Sequence, residues 1–129
     1  MASLTREVES YRAALASLLE VDLELIPDYE GLGSSMRWNA WLASELNVLM
    51  LVCEFGTFGP AQGMWIAQID SPYPGFKFHY VVCAGADIVW DPHPEPQDYT
   101  DAAKIVGQHF VMAMDPALPM GRAALEARG

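Results

Sequence analysis

The apolar pattern of this chain changes its period once, at Asn47, and that switch restricts the fold more than any other feature. Before it, apolar residues recur at helical spacing. Leu4, Val8, Tyr11, Leu15 and Leu18 fall at alternating steps of four and three, one stripe of a helix over residues 4–20. A flanking side carries the small residues Ser10, Ala13, Ala14 and Ser17, which lets another element approach closely. Pro27 closes the segment VDLELIPDY, GLGSS (31–35) reads as a loop, and Ser34 or Ser35 caps a second helix from Met36 to Leu46, rich in Trp38, Trp41 and Leu42.

From Asn47 onward the runs are short, apolar and separated by Gly/Pro clusters, as strands are. NVLMLVCEF (47–55) is continuous enough to predict a strand buried on both faces. GTFGPAQG leads to the strand MWIAQID, and SPYPG leads to a hairpin over residues 77–94, KFHYVVCAGADIVWDPHP. Residues 101–106 are ambiguous, HFVMAM (109–114) reads as a last strand, and the end of the chain as a weakly anchored helix that frays over 116–129. Helices first and strands after predict an α+β fold, with N-terminal helices packed on a mostly antiparallel sheet of four to five strands. With 129 residues, 52% of them hydrophobic, and no long linker or internal repeat, the expectation is a single domain over 1–129.

Charge removes several partner classes. Seventeen acidic residues against seven basic ones give a net charge of −10, and the basic residues (Arg6, Arg12, Arg37, Lys77, Lys104, Arg122, Arg128) are scattered. No stripe exists to neutralise phosphates, so neither nucleic acid nor an anionic membrane is an expected partner. The opening MASLTREVES lacks an apolar signal core, no run approaches the ~20 residues of a membrane span, and Cys53 and Cys83 sit in strand-like runs. A cytoplasmic chain with unpaired thiols is the expectation. Its oligomeric state is left open.

The hairpin raises the functional question. His79 opens one apolar arm and Asp91 closes the other, and both are costly to bury unless something satisfies them. A three-residue turn (Gly85, Ala86, Asp87) pairs Ala84 with Ile88 and sets Val81 opposite Asp91, which makes His79 and Asp91 diagonal neighbours on one face. A two-residue turn sends Asp91 to the other face. In the first register Asp91 can fix the tautomer of His79 and leave the other ring nitrogen to take a proton from a nucleophile. In the bland alternative, Asp91 caps the turn before Pro92 and His79 is an edge residue.

The ordered motifs Arg12-Ala-Ala-Leu-Ala-Ser-Leu-Leu19, Leu23-Glu-Leu-Ile-Pro-Asp-Tyr29, Trp38-Asn-Ala-Trp-Leu42, Trp65-Ile-Ala67, His79-Tyr-Val-Val82 and Asp91-Pro-His-Pro94 resemble the small papain-like proteins of phages and bacteria related to peptidases that trim bacteriocin leaders. The resemblance runs from about residue 8 to 95. It implies a papain-like fold and acyl-transfer chemistry, with His79 as the base, Asp91 as its orienting acid and Ser10 where the nucleophilic cysteine stands. It also implies a protein or peptide substrate, or a host protein, as partner. Tyr11, Tyr80 and Trp90 then become candidate substrate contacts. Serine at that place fits an engineered Cys→Ser change, a natural serine variant or a lost active site. The oxyanion glutamine that the resemblance calls for is also missing from ASLTRE (2–7), and losing one such donor costs about 3 kcal/mol of transition-state stabilisation. Such a site is silent or repurposed as written. The rival expectation is a non-catalytic binding module that engages a host protein or a small signalling molecule through the same cleft, in the host cytoplasm if the chain is phage-encoded.

For the chemistry to work, the regular helix must begin close to Ser10, where amide donors and the helix dipole are available. Cys83, four residues after His79, reads as a buried small hydrophobe. His93 and His109 lie in unrelated contexts and predict no metal site, and no cofactor is expected.

Overall fold

A computed structural model describes residues 7–54, 63–71, 77–92 and 105–128. Helix α1 spans Glu7–Leu19, a 3₁₀ turn Leu23–Leu25, the short helix α2 Tyr29–Leu32 and helix α3 Ser35–Leu46. Strands β1 (Val48–Glu54), β2 (Met64–Asp70), β3 (Phe78–Ala84), β4 (Asp87–Trp90) and β5 (Ile105–Ala113) follow, and helix α4 (Arg122–Ala127) closes the chain. The five strands form one antiparallel sheet in the order β1-β5-β2-β3-β4. The layout is α+β. Among the described residues no helix is long and apolar enough to cross a membrane.

The helical half follows the sequence pattern with one adjustment. On α1 the buried face straddles the two predicted sides: Ser10 and Ala14 of the small side are sealed together with Leu15 of the stripe and with Ala16 and Leu19, while Tyr11, Leu18 and Ala13 are half-buried and Ser17 is exposed. Small side chains let the helix backbone come close to β3 and leave the larger ones to fill its flanks. Among the described residues the helix runs from Glu7, one turn ahead of Ser10. Ser10 ends the first turn. Ser34 proves to be the cap of α3, its hydroxyl accepting from Arg37 N–H at 3.2 Å.

Asn47 is the joint at which the pattern changes. It adopts the left-handed conformation (φ 54°, ψ 42°) that ends α3. Its side-chain amide donates to the carbonyls of Asp115, Leu118 and Pro119 at 3.0, 3.1 and 3.1 Å and accepts from Asp115 N–H at 2.8 Å. The C-terminal segment is thereby tied to the start of the sheet, and the expected frayed end is not seen for residues 121–128. Gly121 N–H donates to Leu46 O at 2.8 Å, Ala124 is buried, and Arg128 reaches Glu45 at 2.6 Å. Gly121 sits at φ +66°, and a Cβ there would meet Leu19 O at 2.8 Å, so only glycine fits.

The run 47–55 is corrected by the structure. β1 lies at the edge of the sheet and leaves Leu49, Leu51 and Val52 39–58% exposed, so it is not buried on both faces. A continuous apolar run does not by itself distinguish a central strand from an edge strand. The last strand is longer than expected, starting at Ile105 and absorbing part of the ambiguous stretch.

Two apolar layers result. Ile66 and Val82 pack with Leu15, Leu19, Trp38, Leu42 and Leu46 on the helix side. Trp65, Ala67, Ile69, Val81 and Cys83 form a second layer on the opposite face. Residues alternate between them along each strand, as the pleat requires.

Candidate functional site

The hairpin satisfies neither of the two registers in simple form, and the way it departs from both is what positions the site. Its turn is the two-residue kind, Gly85–Ala86, with Gly85 at φ +58°, and Ala84 pairs with Asp87 and Cys83 with Ile88. That phase alone would put Asp91 on the wrong face. A bulge follows: Val82 pairs with Trp90, so Val89 is an extra residue in the edge strand. The insertion restores the phase a three-residue turn would have set, and Asp91 returns to the face that carries His79. The turn is held by Gly85 N–H to Gly63 O at 2.9 Å and by the Trp65 indole N–H to Gly85 O at 2.8 Å.

The result is a direct contact. His79 Nε2 lies 2.7 Å from Asp91 Oδ1, and the two side chains are 4% and 5% exposed. A carboxylate only accepts, so the proton of a neutral His79 sits on Nε2 and Nδ1 is the acceptor of the ring. His79 is opposite Ile69 in the β2–β3 ladder, on the face of the second apolar layer.

Ser10 arrives from the helix side. β4 pairs with β3 only from Val82 to Ala84, and where that ladder has ended the N–H of Tyr80 donates to Ser10 Oγ at 3.2 Å. The structure therefore brings residue 10 to the peptide that follows His79, and the helix takes over the β3 edge where the hairpin partner stops. His79 and Asp91 meet directly, and Ser10 meets the backbone between His79 and Tyr80.

The three candidate substrate contacts separate. Tyr11 and Tyr80, the residues following Ser10 and His79, turn to the helix side, where their rings stand edge to face at 5.0 Å. They line a pocket of about 480 Å³ together with Tyr29, Trp38, Met50 and His109. Trp90 is not part of it. It lies on the edge strand opposite Val82, 40% exposed.

His109 is the residue sequence reading underrated. It is 7% exposed, and neither ring nitrogen has a hydrogen-bond partner. Burial lowers its pKa from 6.5 to about 4, so it is neutral at physiological pH. Burial also pushes the Tyr11 phenol well above its ordinary range. The only signal in the sequence was one histidine in an otherwise apolar strand. Cys83 is buried as expected; its thiol is pushed up to about 11, mainly by burial and further by Asp87, and Cys53 and Cys83 are not bridged. Among the described residues no three His, Cys, Asp or Glu side chains gather as metal ligands do, and His93 lies outside those residues.

No protein-family model matches the chain, and neither the curated proteins nor the solved structures yield a match.

Proposed function

We propose that Ser10, His79 and Asp91 form an acyl-transfer site of the papain-like kind, with serine in the place of the nucleophilic cysteine, so that the chain as written is silent or slow. One observation carries the reading: a buried His–Asp pair at 2.7 Å, produced by a bulge whose effect is to bring the two onto the same face. A purely local Asp-Pro turn would have no need of that phase. In this site Asp91 holds His79 in the tautomer with its proton on Nε2, and Nδ1 takes the proton of the nucleophile at residue 10. The nucleophile attacks the acyl carbon of an amide, His79 returns the proton to the departing amine, and water then releases the acyl group from residue 10 by the reverse proton route. The N–H of Tyr80, on Ser10 Oγ at 3.2 Å, fixes the position of that hydroxyl. As Oγ bonds to the acyl carbon, negative charge grows on the substrate's carbonyl oxygen, and the opening amides of α1 hold that oxyanion. A peptide bond, an isopeptide bond or a side-chain amide fits this chemistry equally. A cytoplasmic setting, possible in a phage's host, suits two unbridged thiols.

A second reading has its own support. Ser10 is 2% exposed and its hydroxyl fastens α1 to the edge of β3, which is what a binding module without catalysis would retain. Ser10→Cys treated with iodoacetamide separates the two. Labelling of residue 10 at least about tenfold faster than a free thiol, lost again in Ser10→Cys/His79→Ala, is expected for the acyl-transfer site. Labelling no faster than a free thiol supports the binding module and overturns the hydrolase reading. The native Cys53 and Cys83 are replaced by Ala in both variants so that only residue 10 reports.

A further inference from the structure

The pocket on the helix side of the sheet has a chemistry of its own. Four aromatic rings stand in its wall, each near the next: Tyr29 and Trp38 at 5.6 Å, Trp38 and Tyr11 at 6.0 Å, Tyr11 and Tyr80 at 5.0 Å. Successive planes turn by 62°, 47° and 74°, so the rings meet at angles, as walls do, and not as a parallel stack. Tyr11, Tyr29 and Tyr80 are only half-buried, and exposed Ser35, Asn39 and Val52 mark the open side. The volume of about 480 Å³ is enough to enclose a whole small molecule. The wall also lacks positive charge. Among the described residues that line the pocket none is a lysine or arginine, and no described one lies over Tyr11, Tyr29 or Trp38; the cation found over a ring is Lys77 on Phe78, at 5.1 Å. Burial keeps His109 neutral at pH 7. The protein around this wall carries a net charge of −10.

We propose that this pocket binds a free quaternary ammonium compound the size of choline, its trimethylated head held against the rings of Tyr11, Tyr29, Trp38 and Tyr80. The face of an aromatic ring carries negative charge density and attracts a cation within about 6 Å of its centre, and several rings together form the cage that suits an alkylated ammonium. Such a head spreads its charge over methyl groups and asks for no hydrogen-bond acceptor. A primary ammonium is a compact, strongly hydrated charge that asks for several, and no carboxylate stands among the described lining residues. An anion would enter against the net charge, with no basic side chain there to meet it. A neutral alkyl group of the same shape would fill the space and forgo the attraction between charge and ring. The volume suits a whole small molecule more than one side chain of a docked protein. The site is distinct from the Ser10–His79–Asp91 cluster, and neither proposal depends on the other.

Calorimetric titration of the full chain at pH 7 with choline and with 3,3-dimethyl-1-butanol tests it, because the alcohol has the same shape with carbon in place of the charged nitrogen. Choline should bind saturably, and at least about tenfold more tightly than its neutral counterpart. In NMR spectra of the complex the N-methyl protons should show Overhauser contacts to the rings of Trp38 and Tyr29. Tyr29→Leu should weaken choline about tenfold, whereas Tyr29→Phe, which keeps the ring, should bind it as the wild type does. Failure of choline to bind, equal or tighter binding of the neutral alcohol, or contacts only to rings outside the pocket would each overturn the proposal. Binding of N-acetyl-trimethyllysine amide where choline does not bind would overturn it in favour of a methylated protein as the partner. The comparison of the two small ligands needs no variant, so a misfolded Tyr29→Leu would not blunt the test.

Discussion

Two buried histidines share one sheet and are treated in opposite ways. His79, on β3, has a carboxylate at 2.7 Å and lies on the face of the second apolar layer. His109, on β5, has the rings of Tyr11 and Tyr80 edge-on at 5.4 and 5.7 Å, no hydrogen-bond partner, and a pKa lowered to about 4 by burial. The physical problem is the same in both places, an imidazole removed from water. One answer is to supply a carboxylate, which fixes the direction of the ring. The other is to keep the ring neutral, which leaves its acceptor and donor sealed from water without partners. Burial alone therefore says little about a histidine's role; what faces its two nitrogens says much more.

Deletion of the partner is the strongest way to break the contrast. Asp91→Ala leaves His79 buried without its carboxylate and should cost about 4 kcal/mol in urea-induced unfolding. The matching change at the other histidine, His109→Phe, removes unsatisfied atoms and should leave stability unchanged or raise it by about 1 kcal/mol. Equal losses at both positions would erase the distinction.

Acid sharpens it next. Unfolded His109 takes up a proton near pH 6.5, whereas folded His109 resists until about pH 4. The unfolded state therefore binds more protons through that window. Stability that is fully present above pH 6.5 should fall by about 3 kcal/mol by pH 4 and level off below it. The groups packed against His109, the phenols of Tyr11 and Tyr80, do not titrate in that range. Comparing wild type with His109→Phe by denaturant unfolding at pH 7 and pH 4 isolates this share from that of the carboxylates. An equal pH response in the two proteins would show that His109 does not carry it.

The smallest effect concerns the seam between the two sites. Ser10→Ala removes the acceptor of the Tyr80 N–H and should cost about 1 kcal/mol in thermal or urea unfolding, with no change in the acid response. A loss several times larger would mean that the hydroxyl fastens α1 to the sheet far more firmly than one hydrogen bond accounts for.

The helix-then-strand order, the limits of β2 and a serine cap on α3 were legible in the residues, because each rests on local pattern; the meeting of His79 with Asp91 was left open between two turn lengths, and the bulge that produces it was not foreseen. Other features were not legible. The edge position of β1 depends on which strand lies beside it, and Asn47's clamp on Asp115, Leu118 and Pro119 joins segments some seventy residues apart. The pocket escaped notice for the same reason: Tyr11, Trp38, Tyr80 and His109 come from four separate elements, and nothing in their spacing announces that their rings meet.

That single surplus residue, Val89, makes the hairpin a phase lock. Losing one residue anywhere between Gly85 and Trp90 would advance Asp91 by half a pleat and unhook it from His79, with serine, histidine and aspartate all still in the chain. Two chains could then share Ser10, His79 and Asp91 and differ in whether the last two meet, and the count of residues in this short hairpin would tell them apart before any inspection of side chains.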